Sequence, residues 1–182
     1  MTTATRSLRH CMMVTLFTAW FSSAVGCGAT SHHAQFDSAF APKPGTSVRV
    51  GTIVDAAPKD KRGSKKDLDL TDQLRTELHK KLAKAGLDAS VTEGDGEIVL
   101  NSRILDYDPG NAFGRWLVPG SGSTILSVEC ELEEEGQSVG AIRAMRTVSS
   151  GGAYSIGQWK TVFANVAEDI VKELKMKLKP KQ

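Results

Sequence analysis

The sequence predicts an α+β domain: a small, mostly antiparallel sheet of about five strands with two helices packed on one face, preceded by an N-terminal appendage. Three observations carry this expectation. Apolar residues alternate with polar ones over several short segments between 47 and 149, the period of half-buried strands. Two longer segments, near 70–85 and 158–178, instead repeat their apolar residues every three or four positions. The chain is 182 residues long, room for one core and an appendage rather than two cores.

The N-terminus reads as an address. Arg6 and Arg9, with His10, form a positive segment, and the 15 residues Met12–Gly26 that follow hold no charge. That run is short of the ~20 residues a helix needs to span hydrocarbon, and it fits the apolar core of a secretory signal. It ends Ala24-Val25-Gly26-Cys27, which resembles a bacterial lipobox. The Cys27 thiol is there the nucleophile that receives the lipid, and a small residue before it admits the peptidase. Ala24 stands where Leu is commoner, and the bland alternative is ordinary signal cleavage with Cys27 incidental. Residues 1–26 are thus expected to be a signal peptide, 27–46 an acylated cysteine with its tether, and 47–179 one domain.

The charge balance follows from that division. Of 23 basic side chains, Arg6 and Arg9 lie in the signal, which holds no acid, so 21 remain against 21 acids. A formally neutral domain has no global attraction to nucleic acid, and none is expected as a partner. Of the three cysteines, Cys11 leaves with the signal and Cys27 is acylated. Cys130 is left alone, so no intrachain disulfide is expected. The tether Gly28–Thr46 is rich in Ser, Ala, Gly and Pro. Flexible, it would reach about 25 Å. His32-His33 within it lacks a third ligand of metal-site spacing.

The folded part reads element by element. Ser47–Asp55 is a strand with Val48, Val50 and Val54 on one face. The basic stretch Ala57–Asp67 is either a phosphate or lipid-headgroup contact or a solvated loop, and its interspersed acids and lack of aromatics favour the loop. Asp69 or Thr71 can cap a helix carrying a stripe of Leu70, Leu74, Leu78 and Leu82, with His79 on its flank and Gly86 as its stop. Asp88–Thr92 is a short candidate strand and Glu97–Tyr107 a better one. In Ser123–Glu134, Leu126, Val128, Cys130 and Leu132 face the core and Glu129, Glu131 and Glu133 face out. A hairpin turn at Glu135-Gly136-Gln137 leads into Ser138–Ser149, placing Arg143 on the face of the glutamates. Trp159, Val162, Phe163, Val166, Ile170 and Leu174 define the last helix, 158–178.

No set of residues reads as a catalytic centre. The glycine-rich run Gly110–Gly122 lacks the Lys-Ser or Lys-Thr of a phosphate loop and leads into a strand rather than a helix. Asp106 and Asp108 precede Pro109-Gly110, as turn-forming acids do. His79 is the one histidine of the 47–179 domain, and no serine is paired with it in a recognised motif. No catalytic residue, cofactor or metal site is therefore expected.

What stands out is the apolar content of the connection at 110–122. Phe113, Trp116, Leu117 and Val118 surround Arg115 among glycines. Either this loop folds over one end of the core, the favoured reading, or it is exposed to a partner. Phe113, Arg115, Trp116, Leu117 and Tyr154 are the candidate interaction or ligand contacts.

The lipobox, the strand ending Tyr107-Asp108-Pro109-Gly110-Asn111, the run Arg115-Trp116-Leu117-Val118, and Gly151-Gly152 before the final helix together resemble the domain-of-unknown-function family 4410. The likeness spans about residues 47–178. Where members read Trp-Leu-Val-Gly, this chain has Pro119-Gly120. The resemblance implies a bacterial lipoprotein of this architecture and carries no activity or catalytic residue. The expected role is a non-enzymatic binding module in the cell envelope, lipid-anchored through Cys27 to a membrane facing the periplasm, the outer membrane favoured, with an envelope protein as partner. The alternative is a small-molecule or lipid binder with a cleft near Trp116 and Tyr154, which a pocket lined by Trp116, Tyr154 and Trp159 would favour. A hydrolase is the remote third.

Overall fold

In the computed structural model, the described residues are 30–65, 67–90, 97–110, 122–148 and 158–179. The elements follow the order β1 (Thr30–Phe36), β2 (Ser47–Asp55), a 3-10 helix (Asp60–Lys65), α1 (Leu70–Ala85), β3 (Glu97–Asp108), β4 (Thr124–Glu134), β5 (Gln137–Val148) and α2 (Gln158–Leu178). The five strands form one sheet in the order β1-β5-β4-β3-β2. Every pairing is antiparallel except β2 with β3. Parallel neighbours need a crossover, and α1 supplies it.

The alternating pattern sets the faces. Ile98, Leu100, Ile104, Leu126, Val128, Cys130, Leu132, Ile142 and Ala144 are fully buried under the helices. On α1, Leu70, Leu74, Leu78 and Leu82 form the buried stripe. On α2, Val162, Phe163, Val166, Ile170 and Leu174 do the same. Asp69 caps α1 by accepting from the backbone N–H groups of Thr71 and Asp72, and Gly86 closes it in the left-handed conformation at φ 65°. The β4–β5 turn has Glu135 at φ 52° and Gly136 at φ 78°. Two central residues of positive φ make the tight hairpin whose twist matches the strands. Glu129 pairs across the strands with Arg143, and the Arg143 guanidinium donates to Glu129 Oε1 at 2.6 Å.

A bulge between Val50 and Ile53 turns Ile53 inward and leaves Val54 exposed, where the sequence pattern places Val54 with Val48 and Val50. Two larger sequence expectations also change. The tether was expected to run to Thr46, but Thr30–Phe36 forms an edge strand paired with β5 along its whole length. The chain then turns on Asp37, whose carboxylate accepts from the Ala39 N–H, and buries Phe40 in the core. The folded sheet therefore includes Thr30–Phe36, ahead of the boundary expected at Ser47. The backbone groups of β5's outer edge are what bind this segment, so its modest apolar content does not prevent a strand. Second, the basic stretch after β2 is not wholly solvated. Arg62 is 3% exposed, donating to Asp55 Oδ1 at 2.7 Å and to the Ala57 carbonyl at 2.8 Å. Of the short strand expected at 88–92, Asp88 makes an isolated bridge to Val48. Residues 91 and 92 lie outside the described residues.

Register also fixes the ends of the sheet. Thr30 pairs with Arg146, Thr124 with Val148, and Asp108 with Ile125. So β1 and β4 begin, and β3 and β5 finish, at one end. Both helices run away from that end. The residues after α1 reach the start of β2, where Val48 N donates to the Leu87 carbonyl, and Lys179 at the end of α2 donates to the Gly86 carbonyl at 2.8 Å.

Candidate functional site

The expected acylation residue and the expected contact residues fall outside the described parts of the chain: Cys27 precedes Thr30, Phe113, Arg115, Trp116 and Leu117 belong to 111–121, and Tyr154 belongs to 149–157. What the structure does place is the rim from which they depart. Gly110 and Gly122 bound the apolar connection, and a Cβ on Gly110 would come within 2.1 Å of the Gly122 carbonyl oxygen. The two limbs of this loop therefore touch at its neck. Asp108 accepts from the Gly110 N–H at 2.7 Å, the turn-forming role its position suggested. Asp106 is engaged by Lys61 Nζ at 3.3 Å.

Of the aromatic trio expected to line a cleft, Trp159 is described. It sits in the first turn of α2, half-buried, with Lys65 Nζ 4.8 Å and Lys160 Nζ 5.2 Å from its ring centre. Both ammonium groups are within cation–π range of the ring.

The pair that most resembles catalytic machinery is His79 with Asp88. His79 Nδ1 lies 3.0 Å from Asp88 Oδ2. Asp88 is nearly buried, and its other oxygen accepts from the backbone N–H and the hydroxyl of Ser90. Burial alone would raise this carboxyl, but the hydrogen bonds from Ser90 and His79 outweigh it and hold the group below the usual carboxylate range. The geometry ties the flank of α1 to the turn that follows it. Ser90 is bound to the carboxylate, so it is not placed as a nucleophile on the imidazole.

Cys130 is buried in the core with its Sγ 3.3 Å from Ser102 Oγ, and burial pushes its thiol up to about 12. A thiol protonated at neutral pH is a poor nucleophile. Among the described residues no group of three or more His, Cys, Asp or Glu side chains could hold a metal ion. His32 faces α2, where its Nε2 lies 3.2 Å from Glu173 Oε1.

Sequence reasoning did not reveal the ionic tie between β5 and α2. Arg146 grips Asp169 with a two-pronged fork, Nε to Oδ2 at 2.5 Å and Nη2 to Oδ1 at 2.6 Å. The hydrogen bond to Asp169 raises the Arg146 pKa further, even though desolvation opposes it. A third guanidinium nitrogen reaches Thr30 Oγ1 on β1. An Asp eleven residues into a helix and an Arg near a strand's end carry no local signature of pairing.

Surface depressions among the described residues include one between the helices and one on the sheet. A shallow groove of about 260 Å³ between the helices is lined by Lys81, Lys84, Lys172 and Lys175 with Glu168. Lys81 is held by Glu168 at 2.5 Å. On the sheet's open face, Asn101, Arg103, Glu129 and Glu131 border a depression of about 410 Å³. Among the described residues no helix is long and apolar enough to cross a membrane.

Comparison with solved structures finds distant likenesses. A point variant of PelC from Paraburkholderia phytofirmans, crystallised as a dodecamer, gives a TM-score of 0.49 at 17% identity, covering 78% of this chain and 97% of that one. The PelC dodecamer in a second crystal form gives 0.47 at 14% identity, with the same coverages. Protein XCC0632 from Xanthomonas campestris, described under the domain-of-unknown-function family 330, gives 0.43 at 13% identity, covering 71% of this chain and 86% of that one. Comparison with curated proteins finds no match. The model of a domain of unknown function, DUF4410, matches residues 37–152, a span that includes β2 to β5, α1 and the neck at Gly110 and Gly122. That match covers more than half of the chain and agrees with the motifs around Tyr107–Asn111 and Arg115–Val118, so the chain belongs to the domain-of-unknown-function family 4410.

Proposed function

We propose that this chain is a lipid-anchored protein of the bacterial cell envelope whose α+β domain is a non-enzymatic binding module. The observation that carries the reading is the order of features before the domain. A positive segment, a short uncharged apolar run and Ala24-Val25-Gly26-Cys27 precede the first strand. The Cys27 thiol takes the diacylglyceryl group of a membrane phospholipid as a thioether, displacing its phosphate headgroup, water cleaves the peptide bond before Cys27, and the mature chain starts at an acylated cysteine on a membrane facing the periplasm.

The fold supports the non-enzymatic half of the reading. His79 and Asp88, the nearest approach to acid–base machinery, are engaged in joining α1 to its following turn. The lone core thiol is held protonated by burial. An envelope protein is the partner this reading expects.

The test is incorporation of labelled palmitate in cells expressing the wild-type chain or Cys27→Ser. Label in the wild type and its loss in the variant, with uncleaved precursor accumulating, is the expected result. Equal labelling of the two, or none in either, would remove the anchor from this account.

A further inference from the structure

The edge strand β1 has a consequence for how an anchored domain would sit. Thr30 is already paired with Arg146, and its hydroxyl accepts from the Arg146 guanidinium. Three peptide units separate Cys27 from Thr30. They span at most about 11 Å even fully extended. That is less than half the reach of the tether first expected.

The short link delivers the anchor to one particular end of the sheet. β1 and β4 begin there, and β3 and β5 finish there. The 3-10 helix lies beside it, fastened by Lys61 to Asp106 and by Arg62 to Asp55. The first turn of α2 is there too, because Lys65 of the 3-10 helix reaches the Trp159 ring. A half-buried Trp flanked by two lysines suits the boundary between headgroups and water, where an indole and an ammonium both find partners. The opposite end carries the Glu135-Gly136 turn. It lies the length of β4 away, eleven residues or about 35 Å.

We propose that the end of the domain bearing Thr30, the 3-10 helix Asp60–Lys65 and Trp159 is a lipid-docking face, held against the bilayer by an anchor that allows about 11 Å of separation. This rests on the acylation of Cys27. The diacylglycerol already supplies two acyl chains, and this face adds a protein contact with the same membrane. The β4–β5 turn then points away from the bilayer, and the open sheet face and the helix groove stand roughly perpendicular to it. Partners would reach those surfaces from the side.

The experiment uses the full acylated chain, purified from membranes and reconstituted into vesicles of phosphatidylethanolamine and phosphatidylglycerol. Lys59→Cys and Lys160→Cys place a fluorophore at the docking face, and Ser138→Cys places one at the far end. Cys130 is buried and does not compete for the label. Nitroxide-bearing headgroups should quench the probes at 59 and 160 several-fold more than the probe at 138. Inserting a long Gly-Ser segment after Ala29 should weaken that contrast. Intact mass separates the two claims. An acylated chain with equal quenching at all three positions, or with quenching strongest at 138, overturns the docking face and leaves the anchor standing. A chain without acyl mass overturns both.

Discussion

Arg146 and Asp169 should contribute unequally to stability, although they form one ion pair. Removing Arg146 as Arg146→Met leaves the Asp169 carboxylate, 4% exposed, without its partner. Stranding a buried charge costs about 3–5 kcal/mol. Removing Asp169 as Asp169→Leu strands a guanidinium that is 29% exposed and still bonded to Thr30. Water recovers part of that cost, so the loss should be nearer ~1–3 kcal/mol. The double variant replaces a charged pair by an apolar one, which is often close to neutral, so it should be more stable than Arg146→Met alone. Urea unfolding of the four proteins, expressed without residues 1–27, gives the cycle directly. A 3 kcal/mol loss corresponds to a melting shift of about 6–12 °C in a domain of this size. A larger loss for Asp169→Leu than for Arg146→Met, or costs that simply add in the double variant, would refute the argument that burial of the carboxylate sets the asymmetry.

Other consequences are smaller. Tyr107 is fully buried against Phe163, its hydroxyl has no hydrogen-bond partner among the described residues, and burial raises its pKa to about 12. Tyr107→Phe should therefore leave stability unchanged or raise it by up to ~1 kcal/mol, and a clear loss in a thermal melt would show that the hydroxyl is bonded. Glu135 holds a positive φ that suits Asn better, so Glu135→Asn should stabilise by about 0.5–1 kcal/mol and Gly136→Ala should cost about 1–2, both read by urea unfolding. Asp88 has its carboxyl pKa held down in the fold, so its contribution is full above the unfolded value near 3.8 and is lost as pH falls through the folded one. Asp88→Ala should lose about 1–2 kcal/mol at neutral pH, with the gap to wild type closing in acid, whereas a gap that widens in acid would reverse the sign of this linkage. Trp116→Ala decides between the two readings of the apolar loop. As a core residue it should cost about 3–5 kcal/mol, while an unchanged melt with loss of partner capture would assign it to an interface.

The strands and helices with strong internal patterns were legible because their signal is local. The alternation of Leu126, Val128, Cys130 and Leu132 and the four-leucine stripe of α1 each name a face without reference to the rest of the chain. Asp69 and Gly86 could be read as the bounds of α1 for the same reason. β1 was not legible, although Ser31, His33 and Gln35 do alternate with His32, Ala34 and Phe36. Its inward face holds only Ala34 and Phe36 as apolar residues, and its pairing depends on β5, more than a hundred residues away. The burial of Arg62 and the Arg146–Asp169 fork were hidden in the same way. A charged residue is read as solvated until the fold brings its partner to it. The sheet topology shares this dependence, because the parallel pairing of β2 with β3 follows from the path of α1 rather than from either strand.

The most direct test of the central claim is the mass of the N-terminal peptide of the mature protein, isolated from bacterial membranes. The account predicts a peptide beginning at Cys27 and carrying a thioether-linked diacylglycerol, with residues 1–26 gone. A peptide beginning at Cys27 or elsewhere without lipid, or a chain that keeps Met12–Gly26, would contradict it.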